Sequence, residues 1–260
     1  MTGDQHSGKY PFNSPYVGFN DNPLIFKDPD GRDVYLIIWY SANGEIGHAG
    51  IAVDNYVAVT EKVKQNGKWV TKTTLKPDGT VTYYDFWPTS AGKKNFDENQ
   101  TGIVNKKDGF SIDYIKTHDL GFGEKRPPEG VIRLSADQKE TESVHAYAED
   151  KFNTQTSKEI KYNGATFNCS SFSLDCLSQL YSFKPGFGVE NINTEGNKWL
   201  FIPDANTNSV TPNFLFKSVS DLVTQSPKKG TVEKRDTKKE GLDFVNAVTN
   251  GHATDKTPGK

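Results

Sequence analysis

Between residues 33 and 40 the chain reads DVYLIIWY, an unbroken run of apolar, β-branched and aromatic residues after one aspartate. It is too short for an ordinary helix and has no polar alternation, so it predicts a buried strand. HAGIAVDNYVAVTEKV (48–63) and KWVTKTTL (68–75) predict two more strands. Asn66-Gly67 between them is a hairpin signal, because both residue types accept positive φ. Pro77-Asp78-Gly79 predicts another turn, leading to a strand at TVTYYDFW (80–87). These segments together predict an antiparallel meander. Residues 88–128 are rich in Gly, Asn, Lys and Asp with little period, and are expected to be an insertion or lid.

GVIRLS (130–135) predicts a strand. A helix is expected to follow in SADQKETESVHAYAEDKF, with Ser135 as N-cap and Val144, Tyr147, Ala148 and Phe152 on one apolar stripe. The loop NGATFN leads to a second predicted helix, CSSFSLDCLSQLY. There Phe172, Cys176 and Leu180 recur every four residues, Phe183 continues the stripe, and Pro185 and Gly186 end it. TPNFLFKSVSDLV predicts a short helix capped by Thr211 with Pro212 at its first position. After Ser226 lysine, threonine and glycine dominate. GLDFVNAV there fits a helical turn or two, and the rest is expected to be flexible. Strands first and helices later, with no internal repeat, predict an α+β domain: an antiparallel sheet packed against a helical layer.

Composition narrows the function classes. With 34% hydrophobic residues, 23 glycines and a net charge of −2, the chain reads as globular and loop-rich. The slight acidity argues against nucleic acid as partner, which needs a basic face. No run approaches the roughly 20 apolar residues of a membrane span, so no stable membrane insertion is expected. No apolar run follows Met1, so no secretory signal is expected. The histidines are scattered and no Cys-x-x-Cys occurs, so neither a metal nor another cofactor is expected. Cys169 and Cys176 lie roughly 10 Å apart by helical rise and on one face, too far to bridge.

Each thiol is therefore judged singly. Cys169 falls where a loop becomes a helix. Unpaired N–H groups and the positive end of the dipole favour a thiolate there, and the same N–H groups can hold an oxyanion. Cys176 lies mid-helix among apolar residues, which suits a packed, inert thiol. A thiolate nucleophile needs an imidazolium that later protonates the leaving amine. His48 opens a strand between Gly47, Ala49 and Gly50, small residues that leave room for a substrate backbone. Taken alone, His48 reads better as a hydrogen-bonded structural histidine and Cys169 as a core cysteine; the pair, a strand-starting histidine between small residues and a helix-starting cysteine after an asparagine, favours the catalytic reading. His6, His118, His145 and His252 sit in weaker contexts, in tails, in the insertion or beside helix charges. The third member should accept from the other ring nitrogen. Asp85 is the first choice and Asp54, about 20 Å from His48 along an extended strand, the second. Asn168 is a candidate for the oxyanion or for the helix cap, the cap being favoured. Ser170 and Ser171 satisfy first-turn N–H groups, with Ser170 kept as a neighbour of the reacting atoms. The aromatics Trp39, Tyr83, Tyr84, Phe86 and Trp87 are read as strand packing rather than a carbohydrate platform.

Two resemblances extend this reading. SPYVGFNDNPLIFKDPDG (14–31) resembles the closing motif of the core in rearrangement-hotspot (Rhs) proteins. In that family a variable C-terminal toxin follows the element matched here by Asp28 to Gly31. GHAGIAV, YYDFWP, VIRLSADQ and FNCSSFSLDCL, between Val34 and Phe183, resemble the circularly permuted papain-like (NlpC-type) superfamily, as does TPNFL. That superfamily has histidine before cysteine, as here, and includes bacterial amidases and lecithin-retinol acyltransferase relatives. Permutation leaves the spatial site unchanged. The resemblances imply three parts: 1–32 as the end of an Rhs core, 33–225 as a permuted papain-like domain, and 226–260 as a polar extension. They imply an antibacterial effector, made in the cytoplasm within a longer protein and delivered to a target cell, whose periplasm is a candidate compartment for its action. Cys169, His48 and Asp85 would hydrolyse amides of peptidoglycan peptides, and an immunity protein would protect the producer. Alternatives are a protease or deamidase of a target-cell protein, a lipid acyltransferase or thioesterase (weakened by the lack of an apolar amphipathic stretch at the site), and a non-catalytic binding module.

Overall fold

A computed structural model describes residues 32–40, 47–89, 99–118, 120, 126–164, 166–181, 211–225 and 230–235. The Rhs-like segment, His6, His252, the expected helix stop at Pro185 and Gly186, and GLDFVNAV lie outside these residues. The described elements are β1 (Asp33–Trp39), β2 (His48–Gln65), β3 (Lys68–Pro88), β4 (Gln100–Phe110), α1 (Ile112–Thr117), β5 (Gly130–Ser135), α2 (Gln138–Thr154), β6 (Ile160–Tyr162), α3 (Cys169–Leu177), α4 (Pro212–Gln225) and β7 (Gly230–Lys234). The strands form one seven-stranded sheet in the order β6-β4-β3-β2-β1-β5-β7, and every neighbouring pair is antiparallel. The protein is thus α+β, with helices packed on an antiparallel sheet.

β1 lies inside the sheet, covered on both faces, which is why its sequence is apolar without alternation. Val34, Leu36 and Ile38 join the core formed with α2, α3 and α4. Tyr35, Ile37 and Trp39 join a smaller core on the other face with Ile115 of α1 and Leu120. On β3 the same parity sends Tyr84 and Phe86 to the large core and Val81 and Tyr83 to the small one.

The β2–β3 hairpin turns at Asn66-Gly67, with φ of 52° and 78°, the double positive φ of a type I′ turn. Several expectations need correction. Pro77-Asp78-Gly79 does not separate two strands: β3 runs through it, with a register shift opposite Asp54 to Tyr56 that absorbs the irregularity. Residues 88–128 are not without structure. They contain β4, paired along β3 from Val81 to Pro88, and α1, capped by Ser111. Ser135 is the last residue of β5, and Asp137 caps α2. Asp137 accepts from the Glu140 N–H while Glu140 accepts from the Asp137 N–H, a reciprocal box that Ser135 is too early to make. Thr211 does cap α4, accepting from the Phe214 N–H at 3.2 Å. β7 falls within the segment read as a polar extension. Arg235 beside it donates to buried Glu129 at 3.0 Å and to the Pro127 carbonyl at 3.0 Å, tying that segment to β5.

Candidate active site

The cysteine helix starts as its sequence dictates. Asn168 Oδ1 accepts from the N–H groups of Ser170 at 2.9 Å and Ser171 at 3.1 Å, and its Nδ2 donates to the Gly164 carbonyl at 2.9 Å. The Asn168 oxygen thus serves the cap, the role favoured from sequence. Cys169 is the first residue of α3, 5% exposed, with Sγ 4.0 Å from Ser170 Oγ. Ser170 is fully buried. Cys176 is buried in the large core, where desolvation pushes its thiol up, as suits an inert residue. Both cysteines are free.

His48 is the first residue of β2 and stands opposite Trp39 of β1. Asp85 of β3 stands opposite Gly50, so it shares a face with His48 one step along the strand. Asn105 of β4 stands opposite Asp85. Strand register therefore draws residues remote in the chain into one row across the sheet. His48 Nε2 lies 3.0 Å from Asp85 Oδ2, with both side chains buried. The same carboxylate accepts from Tyr83 Oη at 3.1 Å, Trp87 Nε1 at 3.1 Å and Asn105 Nδ2 at 2.8 Å. The Trp87 ring stacks on the His48 ring at 4.2 Å between centroids, and Trp39 packs at 5.6 Å.

Of the two carboxylates considered from sequence, the structure brings Asp85 to His48. Asp54 instead accepts from the Asp33 N–H at 3.0 Å, and burial beside Asp33 pushes its carboxyl up to about 7. At Gly50 a Cβ would lie 2.3 Å from Tyr83 Oη, so glycine makes room for the ring of the tyrosine whose hydroxyl bonds Asp85. Sequence reasoning missed Asn105 because it fell in a stretch without period. It placed Tyr83 and Trp87 in packing alone, although their spacing around Asp85 puts all three on one strand face. His145 bonds Tyr84 Oη through Nδ1 at 3.2 Å, with burial lowering its pKa, and His118 stacks on Tyr114.

The third edge of the cluster is between ring and thiol. Burial opposes a charge on His48, but the charge of Cys169, the hydrogen bonds to Asp85 and Cys169 and the charge of Asp85 outweigh it, and the imidazole pKa is pushed up to about 10. With Nε2 held by Asp85, Nδ1 is the nitrogen left for the sulfur. In Cys169→Ala the strongest raising influence disappears. The His48 pKa, followed by imidazole NMR titration, is expected to fall from about 10 toward the ordinary histidine range. An unchanged titration would mean that ring and sulfur do not interact.

Two cavities, of about 630 and 290 Å³, lie elsewhere. The larger is walled by Phe167, Phe172 and Tyr147, and the smaller by Arg32, Asp54 and His145. No group of three metal-ligating side chains occurs, and no helix is long and apolar enough to cross a membrane, among the described residues.

Fold and cluster together define an α+β protein whose antiparallel sheet holds a histidine–aspartate pair against a cysteine at a helix N-terminus. No family model matches the chain, and no curated protein matches it in sequence. Among solved structures, the chain is similar to the type VI secretion system effector TseH, at 14% identity and a TM-score of 0.40, over 79% of this chain and 100% of that one.

Proposed function

We propose that the protein is a cysteine-dependent amide hydrolase of permuted papain-like architecture, with Cys169 as nucleophile, His48 as acid–base and Asp85 as the group that orients it. The observation that carries the reading is the buried relay: Asp85 bonds one ring nitrogen of His48, and the other is left to a sulfur at a helix N-terminus. A ring shared between a carboxylate and a thiol is the arrangement that proton transfer to a leaving amine requires.

The steps follow from these atoms. The Cys169 sulfur attacks the amide carbon and forms a tetrahedral oxyanion. The Cys169 N–H, in the helix turn whose donors lack intrahelical partners, donates to it. His48 gives its proton to the leaving nitrogen as the C–N bond breaks. The neutral ring then takes a proton from water, whose oxygen attacks the thioester, and the sulfur leaves with the acyl group released as a carboxylic acid. Asp85 fixes the tautomer throughout. Trp87 covers one face of the ring and keeps water from the His48–Asp85 bond.

The substrate and setting rest on the sequence resemblances. Residues 1–32 would be the end of an Rhs-type core and 33–225 the hydrolase. The whole would be an effector delivered to a competing bacterium, with peptidoglycan peptides as the amide target and an immunity protein as partner. The test is expression in the cytoplasm and, separately, directed to the periplasm, with Cys169→Ala as control, scoring growth and cell shape. Lysis restricted to the periplasmic form supports peptidoglycan. Toxicity restricted to the cytoplasm replaces it with a protein or lipid target. Equal toxicity of the alanine variant overturns the enzyme reading in favour of a binding module.

A further inference from the structure

β2 and β3 continue well past the sheet. β1 accompanies β2 no further than Val53, and β4 meets β3 no earlier than Val81. From Tyr56↔Pro77 to Gln65↔Lys68 the two strands pair only with each other among the described residues, a free ribbon about 33 Å long. Its residues are almost all exposed or half-exposed.

The ribbon's composition differs from the rest of the chain. Residues 56–77 carry five lysines, at 62, 64, 68, 72 and 76, against the single Glu61, in a chain whose net charge is −2. Glu61 is already paired to Lys76 at 2.5 Å. The tip, Lys62 to Thr71, therefore carries three lysines and no acid. It also carries apolar side chains in the open. Trp69 is 69% exposed and Val70 37%, and with Val57 and Leu75 the ribbon holds four of the seven large hydrophobics exposed among the described residues. Lysines on unpaired strand edges discourage pairing with other chains. That accounts for the charge but not for a tryptophan left in water at the end of an arm.

We propose that this ribbon is a docking element for an anionic phospholipid surface. Lysines around the turn meet the headgroup phosphates, while Trp69, Val63 and Val70 enter the interface. Three observations favour a lipid surface over a protein or a nucleic acid. The ribbon has lysine and no arginine, whereas protein interfaces are enriched in arginine and depleted in lysine. An exposed tryptophan next to lysines suits the membrane–water boundary, where amphipathic rings settle and long cations reach the phosphates. The arm is also several times longer than the roughly 8 Å screening length at physiological salt. An acidic body at its far end is then not repelled, whereas a polyanion lying along the protein would meet that body. The proposal is independent of the hydrolase reading, since no ribbon residue belongs to the Cys169 cluster.

The test is co-sedimentation of the full chain with vesicles of 30 mol% phosphatidylglycerol in phosphatidylcholine, against vesicles of phosphatidylcholine alone. Binding to the anionic vesicles, weakened at least tenfold between 50 and 300 mM salt, is expected, with little binding to the neutral ones. A lysine near such a surface is worth roughly fivefold. The triple variant Lys62→Glu, Lys64→Glu, Lys68→Glu is thus expected to lose at least tenfold in affinity, and Trp69→Ser several-fold. These side chains are exposed, and an unchanged melting temperature shows that the variants fold. No binding to anionic vesicles, equal binding to neutral ones, or full binding by the triple variant overturns the proposal. Tighter binding to duplex DNA than to the vesicles at the same salt overturns it in favour of a nucleic-acid arm.

Discussion

With alanine in place of Cys169, kcat/KM on muropeptide amides is expected to fall by roughly 10⁵-fold or more, since removal of a covalent nucleophile leaves only binding and oxyanion donors. The fold should survive. The change deletes one sulfur at the first position of α3, and the Asn168 cap that starts the helix is untouched. A melting temperature within a few degrees of the parent, about what 1 kcal/mol shifts in a chain this size, is the control. The parent enzyme carries a second signature. As the proposed acid toward the leaving amine, His48 would have to enter the cycle protonated. Its pKa is raised to about 10, so activity should persist through neutral pH and decline as pH rises through that value. A decline centred near pH 7 would mean that the ring does not share the sulfur's charge.

Asp85 yields the other large effect, and two substitutions separate its roles. Asp85→Asn keeps size but replaces an acceptor with a mixed amide, which leaves His48 in either tautomer. A loss of about 10³- to 10⁴-fold in kcat is expected with KM little changed, by analogy with serine-protease triads. Asp85→Ala goes further. His48, Tyr83, Trp87 and Asn105 all bond this one buried carboxylate, and the change removes that shared acceptor from all four at once. Breaking a buried charged network in this way costs about 3–5 kcal/mol, readable as a drop in denaturation midpoint with an unchanged slope. A stable Asp85→Ala protein would show that the carboxylate is not the hub of the row.

How much of this was visible in the sequence depends on how local each cause is. β1, the Asn66-Gly67 turn, the Asn168 cap and the Thr211 cap are written in neighbouring residues, and the structure has them where those residues put them. The placement of Cys169 and His48 at the start of α3 and β2 was legible, because the loop-to-helix and turn-to-strand changes are written in the residues beside them. β4 was not legible, because QTGIVNKKDGF becomes a strand only through its register on β3, which is tertiary information. Asn105 was hidden with it. β7 is similar: TVEK has little apolar content, and Arg235 on buried Glu129 holds it in place. Pro77-Asp78-Gly79 failed for the opposite reason. The turn chemistry is real, with Asp78 Oδ1 accepting from the Thr80 N–H at 2.8 Å, but the ladder with β2 continues past it.

The order of the parts along the polypeptide has a consequence for the cell that makes it. Imidazole and carboxylate come from residues 48 and 85, sulfur from residue 169, and β5 finds its outer neighbour only at residue 230. A ribosome releases these pieces in sequence. Throughout most of translation the nascent chain therefore holds the His48–Asp85 pair without its cysteine, and the full cluster can form only once the late segments have emerged.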